Sequence, residues 1–228
     1  MSRLTGLPVL ALVLAGSALA GGARRLEAQV FGLPVRNAGI PTGLTLAADA
    51  GFSNSHAGGG WAIGASAAVG LGPLGVSGAV AWRDPDGDDG FSSVGATGNL
   101  KIFGGPLIPL SLTAQAGFAY GQQDVPGPTA GENKLWHFPV GLGLALTIPN
   151  PVVAIKPWIA PRVDIVRVRP PAGGDSDTST DFGVSAGVDL SFLSGLGIRA
   201  MYDRVQAGDG VHPSIVSVGL SWGLRLGR

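Results

Sequence analysis

An alternation of apolar with small or polar residues runs through almost the whole chain and limits the folds open to it. In the final stretch, Ser214 to Leu226, every second residue from Val216 is apolar, and the residues between are Ser, Gly or Arg. A period of two is typical of a β-strand with two different faces and not of a helix. Many such segments match the 9–11 tilted residues with which a strand crosses a bilayer.

Ten segments follow one another: 44–52, 61–69, 74–83, 93–102, 110–120, 136–148, 155–168, 182–192, 196–203 and 214–226. Mostly long polar connections (53–59, 84–90, 121–135, 169–180, 207–213) alternate with shorter ones (71–73, 104–109, 149–154, 193–195). The pattern predicts an all-β fold, a transmembrane antiparallel up-and-down β-barrel. Ten strands are expected, and eight or twelve strands are the alternatives. Pro157 and Pro161 remove ladder donors, so we expect a bulge or distortion in 155–168.

Composition agrees with a lipid environment and excludes several protein classes. Charged residues are 13% of the 228, about half the usual share, and hydrophobic residues are 45%. A net charge of zero argues against nucleic acid as a partner, and the lack of Cys excludes disulfides and Cys-ligated metals. Gly-x-Gly pairs lie inside alternating strands with no following helix, so we expect no cofactor.

The first twenty residues have the pattern of a secretory signal peptide. Arg3 is followed by the apolar run Leu7–Ala15 and by the small-x-small site Ala18-Leu19-Ala20, although a cut near Ala28-Gln29 is an alternative. The expected organisation is a signal peptide at 1–20, a periplasmic segment at 21–41 and a barrel at 42–228. We therefore expect the cell outer membrane as the location.

Aromatic residues cluster near the ends of the predicted strands. Tyr and Trp prefer membrane interfaces, and outer-membrane barrels carry two aromatic girdles. Near the long loops these residues are Phe52, Trp61, Trp82, Phe118, Tyr120, Trp136, Phe138, Phe182 and Tyr202, and near the short turns Phe103, Phe192 and Trp222. Phe91 is also at a loop edge, but its position in the alternation predicts a side chain that points inward.

The chain resembles the small outer-membrane β-barrel proteins of Gram-negative-type bacteria, the OmpA-like or porin-family group. The signal peptide and the last strand, V-S-V-G-L-S-W-G-L-R-L, carry the resemblance, which covers residues 42–226. It implies outer-membrane lipid and the barrel insertion machinery as partners, and it leaves the oligomeric state open. The family's final strand usually ends in an aromatic residue, whereas this chain ends Leu226-Gly227-Arg228.

Charged residues on the predicted strands must face the lumen, because a charge facing lipid costs a few kcal/mol at the midplane. Asp189 and Arg199 are symmetric about the turn at Ser194 and are predicted to pair across the hairpin. A lumen filled by polar side chains favours a structural or surface-interaction role, and a lumen with room left over favours a narrow passive diffusion channel. The lumen set is Asp49, Arg83, Lys101, Lys156, Arg162, Asp164, Asp189, Arg199, Asp203 and Arg225.

The outer loops are acidic, and two chemical hypotheses follow. Asp84, Asp86 and Asp88 are spaced as in calcium loops, so divalent cations are candidate partners, although Gly95 stands where a bidentate Glu is needed. Asp84, Asp86, Asp209 and His212 superficially resemble the carboxylates and His of omptin proteases. Their Asp-x-x-His spacing and short loops depart from that pattern, so we expect no enzymatic activity.

Overall fold

Ten antiparallel strands close into a single barrel. A computed structural model describes residues 30–105, 108–125, 131–171, 175–207 and 210–224. Each strand pairs with its neighbours in sequence, and β1 also pairs with β10, which confirms the predicted fold class and strand number. The strands are β1 Gly43–Ser53, β2 Trp61–Leu71, β3 Leu74–Asp84, β4 Phe91–Gly105, β5 Ile108–Val125, β6 Gly131–Leu146, β7 Val153–Arg169, β8 Asp177–Phe192, β9 Leu196–Gln206 and β10 Ser214–Leu224.

The barrel has two different ends and two different wall faces. We call the end with the connections after β1, β3, β5, β7 and β9 the loop end, and the other the turn end. Alternate side chains point outward and are exposed, as for Val76 (59%), Leu142 (45%) and Leu220 (66%). An apolar exposed wall is what a barrel surrounded by lipid requires. Among the described residues, no helix has the length and hydropathy that a membrane-spanning helix needs.

Of the bulge or distortion expected in 155–168, no bulge is present, but the ladder with β6 is interrupted, and a register shift lies elsewhere. Strand β7 keeps one register with β8 throughout, and with β6 it only skips the pairs next to Pro161. A missing N–H therefore removes ladder bonds there without inserting a residue. The register shifts instead between β4 and β5, from Lys101 to Gly105, where Gly104 has a φ of 111°.

Two predicted loops are shorter than expected. Strand β5 continues to Val125 and β6 begins at Gly131, inside the expected loop 121–135. Strand β8 likewise begins at Asp177, inside 169–180. Residues such as Gln122, Gln123 and Lys134 are polar on both faces of these extensions, so apolar alternation cannot reveal them.

Candidate functional site

An N-terminal segment occupies the barrel lumen. Residues 30–41, which we call the plug, belong to the segment 21–41 that the sequence placed in the periplasm, and this placement is wrong for them. Val30, Phe31 and Val35 are each no more than 2% exposed. Residues 30–33 form a turn in which the Leu33 N–H donates to the Val30 carbonyl oxygen at 3.2 Å. The eight residues that follow can span at most about 28 Å, close to the thickness of a bilayer core of about 30 Å.

The plug runs from the loop end to the turn end. Phe31 packs with Phe91, Ala119 and Leu135 near the loop end, and its ring centroid is 5.8 Å from that of Phe91. Ala38 packs with Trp158 and other residues closer to the turn end. After Pro41 the chain reverses and enters β1.

Polar side chains of the wall bind the plug's polar groups. The backbone N–H of Phe31 donates to Ser93 Oγ at 3.2 Å, and that of Val35 donates to Asp203 Oδ2 at 3.0 Å. Gln115 Nε2 donates to the carbonyl oxygen of Arg36 at 3.0 Å. Backbone polar groups buried in a lumen must find such partners, since an unpaired polar group carries a free-energy penalty.

Thr113 and Asn37 extend this set of contacts toward the turn end. The hydroxyl of Thr113 donates to Asn37 Oδ1 at 2.9 Å, and both residues are buried. The wall and the plug therefore share one polar network.

A buried charge cluster lies beside the middle of the plug. Arg162 donates to Asp164 Oδ1 and to Asp203 Oδ1, both at 2.8 Å. Ser185 Oγ donates to Asp203 Oδ2 at 2.7 Å, and His137 Nε2 lies 2.7 Å from Asp164 Oδ1. Four strands, β6 to β9, are linked by these side chains, and each of the five is at most 4% exposed.

The predicted ion pair between Asp189 and Arg199 is wrong in its partners. The two residues are opposite in the register, but Arg199 pairs with Asp49, and Asp189 pairs with Arg36 of the plug. Gly219 of β10 stands between Arg199 and Asp49 in the register and has no side chain, so the guanidinium reaches across it. Asp189 also accepts from the Trp158 indole at 3.3 Å.

The other predicted lumen residues lie at the two ends of the barrel. Arg83 is buried near the loop end and donates to the carbonyl oxygen of Ala57, in the short 3-10 helix Ser55–Ala57. Lys101 and Lys156 are half-buried towards the turn end. Arg225 is outside the described residues.

The loop end is also covered from above by a connection. Asn54 Oδ1 accepts from the backbone N–H of Ala57 at 3.0 Å and of Ser214 at 3.1 Å. The side-chain amide of Asn54 donates to the carbonyl oxygen of His212 at 3.1 Å. These bonds tie the β1–β2 connection to the one before β10.

A small cavity remains beside the plug. Its volume is about 90 Å³, and its lining includes Asp49, Lys156, Arg199 and Arg36. A cavity needs about 10–15 Å³ to hold one water. The space therefore suits a few water molecules between the plug and strands β1 to β3.

The predicted girdle residues lie on the outer wall. Ten of the twelve are 37–57% exposed, while Tyr120 and Trp136 are half-buried. Tyr120 and Trp136 contact each other, with ring centroids 5.7 Å apart, as do Phe118 and Phe138 at 5.4 Å. Their membrane role stays a prediction. Phe91 points inward, as its parity indicates, and is 4% exposed.

The candidate metal and protease residues do not form a site in the described part of the chain. Within it, no three His, Asp or Glu side chains converge closely enough to hold a metal ion, so Asp84, Asp86 and Asp88 do not form one. Asp209 is outside the described residues. The backbone of His212 is held by Asn54 and by His56 Nδ1, at 3.3 Å from its N–H.

Sequence reasoning missed the plug and His137. A signal for the plug was present, because Phe31, Leu33 and Val35 alternate with Gly, Pro and Arg in a segment expected to be solvated. His137 has inward parity in β6, between Trp136 and Phe138. Its partner Asp164 is 27 residues away, so no local spacing links them.

Comparisons with known proteins agree with the architecture. The family model described as "Outer membrane protein beta-barrel domain" matches residues 42–223. No curated protein sequence matches significantly. The solved structures with a similar fold include the β domain of the Bordetella autotransporter BrkA, which is 13% identical with a TM-score of 0.52, covering 80% of this chain and all of that one.

Two further similar structures have lower TM-scores. The N-terminal β-barrel domain of Pseudomonas aeruginosa OprF is 11% identical with a TM-score of 0.38, covering 80% of this chain and 97% of that one. The outer membrane protease OmpT from Escherichia coli is 10% identical with a TM-score of 0.38, covering 80% and 94%.

Proposed function

The chain belongs to the outer membrane protein β-barrel domain family, and from this we propose that it is a closed, non-enzymatic barrel with a structural or surface-interaction role. The plug carries the proposal, because it fills the lumen with buried side chains from the loop end to the turn end. Eight strands already leave an interior just wide enough for side chains. A ten-stranded barrel has a wider lumen, and here the plug fills the additional space.

The packing beside the plug supports closure to solutes. The cavity of about 90 Å³ has room for only a few water molecules, and the Phe31 and Phe91 rings pack against each other near the loop end. The β1–β2 connection, bound through Asn54 and Arg83, adds a second barrier at the loop end. A narrow passive diffusion channel, the second candidate, requires the plug to leave the lumen, and the polar lining of this cavity favours it as the alternative.

The absence of enzymatic activity is part of the proposal. His137 and Asp164 form a pair that resembles a general base with its orienting carboxylate, but both are at most 1% exposed. A catalytic pair must be reached by its substrate. An omptin-like protease remains a remote alternative. Equal cleavage of dibasic peptides by the wild type and His212→Ala would dismiss it.

We also propose export through the signal peptide 1–20 and insertion into the cell outer membrane by the barrel insertion machinery. The alternating terminal strand β10 supports this. Mass spectrometry of the mature N-terminus after expression in a Gram-negative host gives the cleavage site, and a start after Ala20 or near Gln29 is expected.

Single-channel recording in planar bilayers tests the closed state. We expect no stable conductance from the wild type, and stepwise openings from a variant in which Leu33 and Val35 are both changed to Ser. Heat-modifiable gel mobility confirms that each barrel is folded. Stable wild-type conductance would favour the channel, and a folded variant that remains closed would show that the plug is not the barrier.

A further inference from the structure

Three cations meet on the outer wall of the barrel at its loop end. Lys134 lies on β6, and Arg167 and Arg169 lie on β7. In the register Lys134 is opposite Arg169, and Trp136 is opposite Arg167. All three cations are exposed and alternate with inward residues such as Leu135, so they share one outward patch.

The patch contains a cavity with a mixed aromatic and cationic lining. Trp136, Phe138, Arg167 and Arg169 line this cavity, whose volume is about 270 Å³. A guanidinium offers five N–H donors in a planar fork that fits the oxygens of a phosphate. The aromatic rings supply an apolar surface at the side of the same cavity. A site that combines guanidinium groups with aromatic rings suits a ligand with a negative charge at one end and an apolar group at the other.

The depth of the patch matches a lipid headgroup. Along β6 the outward residues toward the turn end are Phe138, Val140 and Leu142, each at least 38% exposed. Trp and Tyr mark membrane interfaces, and two residues along a strand cover about 7 Å. The cations therefore lie beside the aromatic girdle or about 7 Å beyond it, where the apolar wall ends.

The charges of the patch are not matched by nearby carboxylates. In the described ranges, no carboxylate lies within salt-bridge distance of Lys134, Arg167 or Arg169. Arg167 donates to the hydroxyl of Ser176 at 3.2 Å, and Glu132 accepts from Gln122 at 2.8 Å. Three exposed cations without a salt-bridge partner among the described residues can take an external anion.

We propose that Lys134, Arg167 and Arg169, together with Trp136, bind the phosphate of a lipid headgroup in the leaflet that faces the loop end. The guanidinium groups donate to the phosphate oxygens, and the acyl chains lie along the outward wall below Phe138. This site rests on the proposed membrane location, but it does not depend on whether the lumen is closed.

Binding of defined lipids to the detergent-solubilised barrel tests the site. The probes are bisphosphorylated lipid A, the same lipid with both phosphates removed, and inorganic phosphate, and bound lipid is counted by native mass spectrometry. We expect tighter binding of the phosphorylated lipid. Each of Arg167→Gln and Arg169→Gln should weaken it about fivefold, the factor for about 1 kcal/mol per cation near a membrane surface.

Arg204→Gln is the matched control. Arg204 is an exposed, outward residue of β9 whose register partners are Val184 and Ser214, so it has no cation opposite it. We expect its change to leave binding unaltered. Equal binding of the two lipids, equal effects of Arg204→Gln and Arg167→Gln, or displacement of the lipid by equimolar inorganic phosphate would each overturn the proposal. Heat-modifiable mobility reports the barrel independently of these outcomes.

Discussion

Asp203 is the residue whose removal should most weaken the barrel interior. It is fully buried and accepts from the Arg162 guanidinium at 2.8 Å, the Ser185 hydroxyl at 2.7 Å and the Val35 N–H of the plug at 3.0 Å. Asp203→Ala leaves Arg162 with Asp164 as its remaining carboxylate. Breaking a buried ion pair by removing one partner costs about 3–5 kcal/mol.

Asp203→Asn removes the negative charge of this residue but keeps the shape of its side chain. Asp203→Asn keeps the volume and one acceptor oxygen, so we expect a loss of about 1–3 kcal/mol, the range for a buried donor left unsatisfied. Exposed Asp177, at the start of β8, is the control, and Asp177→Asn should stay within about 0.5 kcal/mol of the wild type.

Urea unfolding in lipid vesicles, followed by Trp fluorescence, measures the free energy of unfolding. The expected order of stability is wild type and Asp177→Asn, then Asp203→Asn, then Asp203→Ala. If Asp203→Ala unfolds within 1 kcal/mol of the control, the cluster of Arg162, Asp164 and Asp203 does not stabilise the barrel, and the reasoning is refuted.

Three further predictions concern contacts inside the barrel. Phe31→Ala should lower the free energy of unfolding by about 3–5 kcal/mol, as for other buried Phe residues, and a change under 1 kcal/mol would contradict the observed packing. Gly121→Ala should destabilise the barrel by about 1–3 kcal/mol, because an added Cβ would lie 2.9 Å from the Phe31 ring. Gly98→Ala, where nothing lies within 4 Å, is its control in the same urea titration. A double-mutant cycle of Asp49→Asn with Arg199→Gln should give a coupling energy of 0.5–3 kcal/mol, and the cycle of Asp189→Asn with Arg199→Gln should give less. A larger coupling energy for Asp189 with Arg199 than for Asp49 with Arg199 would support the ion pair predicted from the hairpin.

Much of the wall could be predicted from the sequence because lipid imposes a strict rule on every second residue. The parity of Val216 to Leu224 or of Leu44 to Phe52 determines which side chains face outward, and the strand number follows from counting the segments. Charges such as Arg162 and Asp203 were assigned inward by the same rule, whereas Arg167, at the loop end of β7, faces outward.

The interior contacts could not be predicted in the same way. Arg199 reaches Asp49 because Gly219 leaves space between them, and this depends on which residues three different strands bring to one level. The plug follows a different principle, because its residues fill a lumen whose lining comes from many strands, including partners 62 positions away for Phe31 and Ser93 and 168 positions away for Val35 and Asp203. The alternation of Phe31, Leu33 and Val35 marks the segment as one with a buried face, but it does not identify these partners.

The position of the plug directly before β1 also constrains how the protein can be assembled. Val35 bonds to a residue 168 positions away, so the segment cannot reach its final contacts until β9 has been made. Strand β1 closes the wall against β10, and the plug is attached to β1 through Pro41. The plug and the β1–β10 seam are therefore neighbours in sequence, and both depend on contacts with the far end of the chain. Contacts this remote in sequence make folding slow.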